Sequence, residues 1–154
     1  MKTSVDAAMR ILEPLLLRFE GLRTKAYICP AGKITIGVGH TGPEIRLGDE
    51  WSRDRCIVVM RMDAERFISG ALTLCPTLAD KPHALAAIAD FSFNLGLGRL
   101  RASTLRRKLN SGDTNGAANE LRKWVMGGGR KLPGLVLRRE TERALLLKSD
   151  KIAT

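Results

Sequence analysis

An α+β fold is predicted, with a small sheet confined to one stretch near the N-terminus and a larger helical lobe after it. Two observations carry this. Apolar residues alternate with small or polar ones only between about residues 24 and 40, and elsewhere they return at steps of three and four. A third is the punctuation: Ser111-Gly112-Asp113, Gly127-Gly128-Gly129 and Pro133-Gly134 cut the second half into short helices. A sheet subdomain packed beside a helical lobe would leave a cleft between them, a common place for a polymer substrate. The whole chain, residues 1–154, reads as a single domain.

The elements follow in order. Val5, Ala8, Met9, Leu12, Leu15, Leu16 and Phe19 mark an amphipathic first helix, with Pro14 as a kink or a short unwound start and Gly21 as the stop. Tyr27 and Ile28 belong to a strand that turns through Pro30-Ala31-Gly32-Lys33 into a second, where Ile34, Ile36 and Val38 alternate with Thr35, Gly37 and Gly39. Two helical stripes follow, Ile57-Met60-Ala64-Phe67-Ile68-Ala71 and Leu85-Ile88-Ala89-Ser92-Leu95, the second ending at Gly96. Shorter helices are expected over 103–109, 115–125 and 135–148, with strands nowhere outside the first sheet.

Composition narrows the function. The 154 residues are 44% hydrophobic, 27% charged and 5% aromatic, which suits a globular domain rather than a disordered tail. No run approaches the ~18 apolar residues of a membrane span, and the first twenty residues lack the pattern of a signal peptide. A net charge of +10 points to an anionic partner such as a cell-wall polymer, an anionic lipid surface or nucleic acid. Interleaved aromatics for base stacking are lacking, so nucleic acid is set aside. Cys29, Cys56 and Cys75 are odd in number and far apart, and His40 and His83 have no ligand-spaced companions. Neither a disulfide framework nor a metal site is expected.

The chemistry gathers in Phe19-Glu20-Gly21-Leu22-Arg23-Thr24-Lys25-Ala26-Tyr27 and in Gly32 through Gly42. Glu20 closes a helix at a glycine break. Helix C-terminal carbonyls and partial burial both disfavour a negative charge there, as a general acid requires. Thr35 occupies the strand face opposite Ile34 and Ile36. Gly37 and Gly39 share its face, and without side chains they would let a ligand approach the backbone.

These segments resemble the catalytic region of the phage lysozymes, glycoside hydrolase family 24. The motif there is Glu-Gly-Leu-Arg-x-Lys-x-Tyr followed by Thr-Ile-Gly-Val-Gly-His-Thr. Phe93-Asn94-Leu95-Gly96, Ser103-Thr104-Leu105, Trp124 and Gly134 through Leu145 match later motifs in order, so the resemblance runs from about Leu15 to Leu147. The family spacing of Glu, eight residues, Asp or Cys, five residues, Thr is met by Glu20, Cys29 and Thr35. The resemblance implies a lysozyme-like fold and a muramidase that hydrolyses the β-1,4 bond between N-acetylmuramic acid and N-acetylglucosamine. Glu20 would be the general acid, with Cys29 and Thr35 placing and activating water. A thiol has a pKa near 8.5 against about 3.9 for Asp, so Cys29 brings negative charge only if a basic neighbour such as Arg23 or Lys25 favours the thiolate. Phe93, Asn94 and Thr104 would bind substrate, and His40 would support the hairpin.

No cofactor and no metal are implied. The implied partner is bacterial peptidoglycan, met by a monomer that neither inserts in membranes nor binds nucleic acid, with surface contact left open for a basic C-terminal helix. Trp51 and Trp124 are expected in the core, and Arg138 and Arg139 on a solvated helix face. The implied location is the cytoplasm of the infected host, with holin-dependent release to the wall. Two alternatives keep the fold: a non-catalytic peptidoglycan-binding relative, favoured by Cys29 in place of Asp, and a lytic transglycosylase, disfavoured by Thr35.

Overall fold

The computed structural model describes residues 2–148, which fall into two compact units. One is Glu13–Arg66; the other joins the stretch up to Leu12 to the chain from Phe67 onward.

Helix α1 (Lys2–Glu20) runs without a break through Pro14. The stripe places Ala8, Leu12 and Leu16 at four-residue steps, all buried, while Pro14 lies on the exposed side. The helix thus neither unwinds nor starts at the proline. Gly21, at φ +71, donates its N–H to the Leu17 carbonyl at 3.1 Å and caps the last turn as a left-handed glycine.

In the Glu13–Arg66 unit, β1 (Arg23–Ile28), β2 (Ile34–Gly37) and β3 (His40–Thr41) form an antiparallel sheet in that order. Tyr27 pairs with Thr35 and Ile28 with Ile34; Ile36 pairs with His40 across the next ladder. The far edge of β1 is covered by a short extended stretch, through a Lys25–Glu50 bridge and the Trp51 N–H bond to the Thr24 carbonyl at 2.8 Å. Ile36, Ile45, Trp51 and Cys56 form the core of this unit, with Leu22, Ala26, Ile34 and Val59 against it.

The other unit is helical. Helix α2 (Arg53–Leu74) contributes Phe67–Leu74 to it, a 3₁₀ turn follows at Pro76–Leu78, and α3 (Pro82–Leu95) is its centre. Nine consecutive residues of α3, Ala84–Ser92, are buried. The expected stripe is therefore a whole cylinder, because four alanines let neighbours approach from every side. The sequence reading missed α4 (Leu97–Ala102). Helices α5 (Thr104–Asn110) and α6 (Thr114–Leu121) start where Ser103 accepts the Arg106 N–H and Asp113 the Gly116 N–H. The chain leaves α6 four residues before Val125 and forms a second hairpin, β4 (Met126–Gly127) and β5 (Arg130–Lys131), before α7 (Pro133–Leu146). Strands are thus not confined to one segment: Gly128 and Gly129, both at positive φ, make the glycine run a hairpin turn rather than a plain break.

The expectation of solvated arginines on α7 is overturned. Arg138 and Arg139 are 4% and 0% exposed. Arg138 grips the buried Asp90 of α3 through Nε and Nη2 at 2.9 and 3.0 Å, and Arg139 donates to Glu142 at 2.7 Å. Burial pushes the Glu142 carboxyl well up from its ordinary range, and a hydrogen bond with Asp90 adds to this; the Arg139 charge pulls the other way. Two of the three arginines of α7 are thus turned inward on carboxylates, while Arg143 in its last turn stays partly exposed.

Candidate active site

Glu20 ends α1, and its side chain lies over the backbone of Gly39. A Cβ built on Gly39 would stand 2.8 Å from the Glu20 Oε2 and 3.0 Å from both Cδ and Cγ. The Trp51 ring occupies the corresponding place over Gly37, 3.3 Å from where a Cβ would be. Trp51 is in the core, as expected. The two glycines therefore make room for the protein's own side chains rather than for a ligand.

Across the β1–β2 ladder, Tyr27 stands opposite Thr35, and Cys29, two residues on, shares their face. The Cys29 N–H donates to the Lys33 carbonyl at 2.9 Å, closing the turn. Thr35 is 3% exposed, more enclosed than the sequence suggested, and its hydroxyl donates to the same carbonyl at 3.1 Å. It also lies within hydrogen-bonding reach of the Cys29 sulfur. One hydroxyl proton thus has two acceptors, and the carbonyl is already served by a backbone N–H. Desolvation pushes the Cys29 thiol up, but the backbone N–H groups of Lys33 and Ala31, the Thr35 hydroxyl and the Lys33 charge outweigh it and bring it below the ordinary thiol value. The helpful cation is Lys33. Arg23 instead stacks on the Tyr27 ring at 4.1 Å, and Lys25 lies in the bridge to Glu50.

Tyr27 is a site residue that sequence reasoning left as a plain strand position. Burial raises its hydroxyl pKa; Arg23 offsets part of this, and the charges of Glu20 and Cys29 add to it. The phenol therefore senses both groups. Its register opposite Thr35 was the available signal.

His40 has both ring nitrogens engaged, Nδ1 with Asp63 at 2.6 Å and Nε2 with Glu44 at 2.9 Å, and its ring centroid is 5.6 Å from that of Trp51. Desolvation lowers its pKa, but the two carboxylates prevail and raise it above 6.5. His40 thus acts as an imidazolium clamp tying β3 to α2. Neither Glu44 nor Asp63 was singled out in the sequence, since Asp63 lies 23 residues away and no pattern connects it to His40.

Phe93, Asn94 and Thr104 belong to the helical unit. Phe93 is half-buried, its ring 5.2 Å from that of Phe67. The Asn94 side-chain carbonyl accepts from Arg139 at 2.9 Å. Thr104 is the first residue of α5, and its hydroxyl accepts from Arg107 at 2.6 Å. It lines an open pocket of about 570 Å³ with Arg99, Ser103, Glu120, Lys123 and Trp124. Trp124 is half-buried, edge-on to Phe91 at 5.4 Å, so only part of it is core. Cys29, Cys56 and Cys75 are all free thiols, and burial pushes Cys75 up to about 11. Among the described residues no three His, Cys, Asp or Glu side chains are grouped to hold a metal ion.

Residues 17–142 match the family model described as phage lysozyme, a stretch that holds Glu20, Cys29 and Thr35. The chain belongs to the phage lysozyme family. Its class is that of a lysozyme-type glycoside hydrolase, with a lysozyme-like α+β fold. Within the family, it is 40% identical over 138 residues to an endolysin of Bacillus phage B103, covering 88% of this chain and 52% of that protein. It therefore spans about half the length of that relative. It is 38% identical over 130 residues to a SAR-endolysin of Bacteriophage PS119, covering 83% of this chain and 76% of the other. The muramidase domain of SpmX from Asticaccaulis excentricus superimposes with a TM-score of 0.77 at 27% identity, covering 97% of each chain. Among the described residues, no helix is long and apolar enough to cross a membrane.

Proposed function

We propose that this member of the phage lysozyme family is an endolysin acting on bacterial peptidoglycan, hydrolysing the β-1,4 bond between N-acetylmuramic acid and N-acetylglucosamine. The observation that supports this reading best is the Glu20, Cys29 and Thr35 set, within one compact unit and inside the matched stretch.

In this reading Glu20 gives its proton to the glycosidic oxygen as the bond to the anomeric carbon breaks, and an oxocarbenium-like centre develops. Water adds to that carbon. Thr35 orients the water, and the Cys29 thiolate accepts the proton that water loses, its own charge stabilised by the Lys33 and Ala31 N–H groups. Solvent then reprotonates Glu20 and takes the proton from Cys29. No cofactor enters this cycle.

Substrate contacts fall to the helical unit. The Asn94 amide nitrogen would donate to an acetamido or stem-peptide carbonyl, Phe93 would pack on the ligand, and Thr104 with Trp124 would line a sugar-sized pocket. The enzyme acts as a monomer, builds up in the host cytoplasm and reaches the wall through a holin lesion.

Mass analysis of muropeptides from purified wall tests the chemistry. Reducing N-acetylmuramic acid ends are expected. Anhydro ends would make the enzyme a transglycosylase, and intact wall would make it a binding protein.

A further inference from the structure

We propose that Gly39 is a positioning residue for Glu20: the bare backbone of the β2–β3 turn is the platform that sets where the acid's carboxyl stands. The proposal rests on the reading of Glu20 as the general acid and adds a residue that the reading does not use.

Three observations converge on it. The space a Cβ would take at Gly39 is filled by the Glu20 carboxyl, with Oε2 2.8 Å away, closer than a real Cβ tolerates. The platform is held firmly, because the next residue is His40, whose ring is clamped at both nitrogens by Asp63 and Glu44. Glu44 repeats the arrangement on the other side of His40, its carboxyl carbon 2.7 Å from where a Gly42 Cβ would be. The turn is thus held on both flanks, while the three atoms nearest to a methyl group at position 39 all belong to the flexible end of Glu20. The methyl would displace the carboxyl rather than the backbone.

That predicts a specific division of effects. An acid moved by about 1 Å loses its line to the glycosidic oxygen, and misplacement on that scale costs on the order of 10²-fold in rate. Substrate affinity, which does not depend on the proton, should hold. Gly39 also adopts φ +65, so alanine there carries left-handed strain as well as the contact. Gly48, at φ +99 with nothing within 4 Å of a built Cβ, carries strain without the contact and serves as the control.

The test compares Gly39→Ala, Gly48→Ala and Glu20→Gln on solubilised, purified peptidoglycan, with folded fraction measured by thermal melting. The expected result is a kcat about 10²-fold lower for Gly39→Ala at nearly unchanged KM, with Gly48→Ala within about twofold of the parent. Should Gly39→Ala fail to fold, Gly39→Asn places the same Cβ with a residue that tolerates this backbone region, and the same kcat loss is expected. A kcat for the position-39 variant within about twofold of the parent, or losses at 39 and 48 that both track folded fraction, would overturn the proposal while leaving Glu20 as the acid. Near-parental activity of Glu20→Gln would overturn both together.

Discussion

The two units of this chain treat charge in opposite ways. Glu13–Arg66 holds 9 basic and 8 acidic residues and keeps its carboxylates at or near the surface, Glu20 over a glycine and Glu44 and Asp63 on one histidine. The helical unit holds 17 basic and 8 acidic residues, so it carries nearly all of the +10. It buries some of its acids completely, on arginines of α7. Leu97–Asn110 alone has five basic residues and no acid. A chemical group must meet solvent and substrate and so cannot be locked in a core, whereas a buried ion pair fixes helix packing; in the proposed function the remaining surface cations face an anionic wall. The contrast separates chemistry from capture.

The sharpest way to break it is Asp90→Ala. Removing one partner of a buried pair leaves Arg138 uncompensated, which should lower stability by about 3–5 kcal/mol in urea unfolding. A loss under ~1 kcal/mol would mean that Arg138 re-pairs with Glu142, 3.9 Å away, and that the network is not specific. Next is Glu20→Gln, expected to lower wall lysis by at least ~10²-fold with the melting temperature nearly unchanged. Parental lysis would move the chemistry out of this unit.

The His40 clamp should cost about 2 kcal/mol when broken by His40→Gln at pH 5.5, chiefly through the charge-assisted bond to Asp63. Its pH dependence has a definite sign. His40 is raised, so its share is complete below the ordinary value of 6.5 and fades as pH climbs through the folded value. Glu44 is lowered, chiefly by its hydrogen bond to His40, so its share is complete above 4.5 and fades as pH falls through its folded value. Stability attributable to the clamp should therefore peak between about 4.5 and 6.5 and be absent from the pH profile of His40→Gln. A flat difference between the two profiles would remove the imidazolium.

Cys29→Ala is expected to lower kcat about tenfold, with Cys29→Asp equal to or above the parent. Because the thiol is lowered, parental activity should rise with pH through a value below the ordinary 9.0. The aspartate variant should lack that rise. An alanine variant matching the parent at every pH would leave Glu20 and Thr35 as the catalytic set. The smallest effect expected is a few-fold loss of wall binding between 0.1 and 1 M salt, as the Debye length falls from ~10 to ~3 Å, with cleavage of a short neutral oligosaccharide little changed. Charge reversal of Arg99, Arg101 and Arg107 should reproduce it at low salt, and reversal of Arg18, Arg46 and Arg53 should not.

What was legible in the sequence was local. The α1 stripe, the Gly21 stop and the turn before Ile34 are set by neighbours a few residues apart, and the resemblance that picks out Glu20, Cys29 and Thr35 rests on the same short stretch. The burial of Arg138 depends on Asp90, 48 residues earlier, and no periodicity announces which cations on a helix turn inward. The Arg138-Arg139-x-x-Glu142 spacing was a usable hint, since it sets i, i+3 and i, i+4 partners on one face. The function of Gly39 was hidden for a similar reason. A glycine in a turn explains itself by φ, and only the position of Glu20 reveals a second cause.

The division of the chain bears on its synthesis. Ala8 and Leu12 are buried in a unit whose other members begin at Phe67, so this stretch can pack only after some fifty intervening residues have been made. Glu13–Arg66, by contrast, is continuous in sequence, and its contacts close within fifty-four residues. Glu20, the proposed acid, therefore lies in a stretch that is complete before the helical unit is. A chain that ends before α7 leaves Asp90 without Arg138, an acid that must then either stay exposed or be buried without its counter-ion.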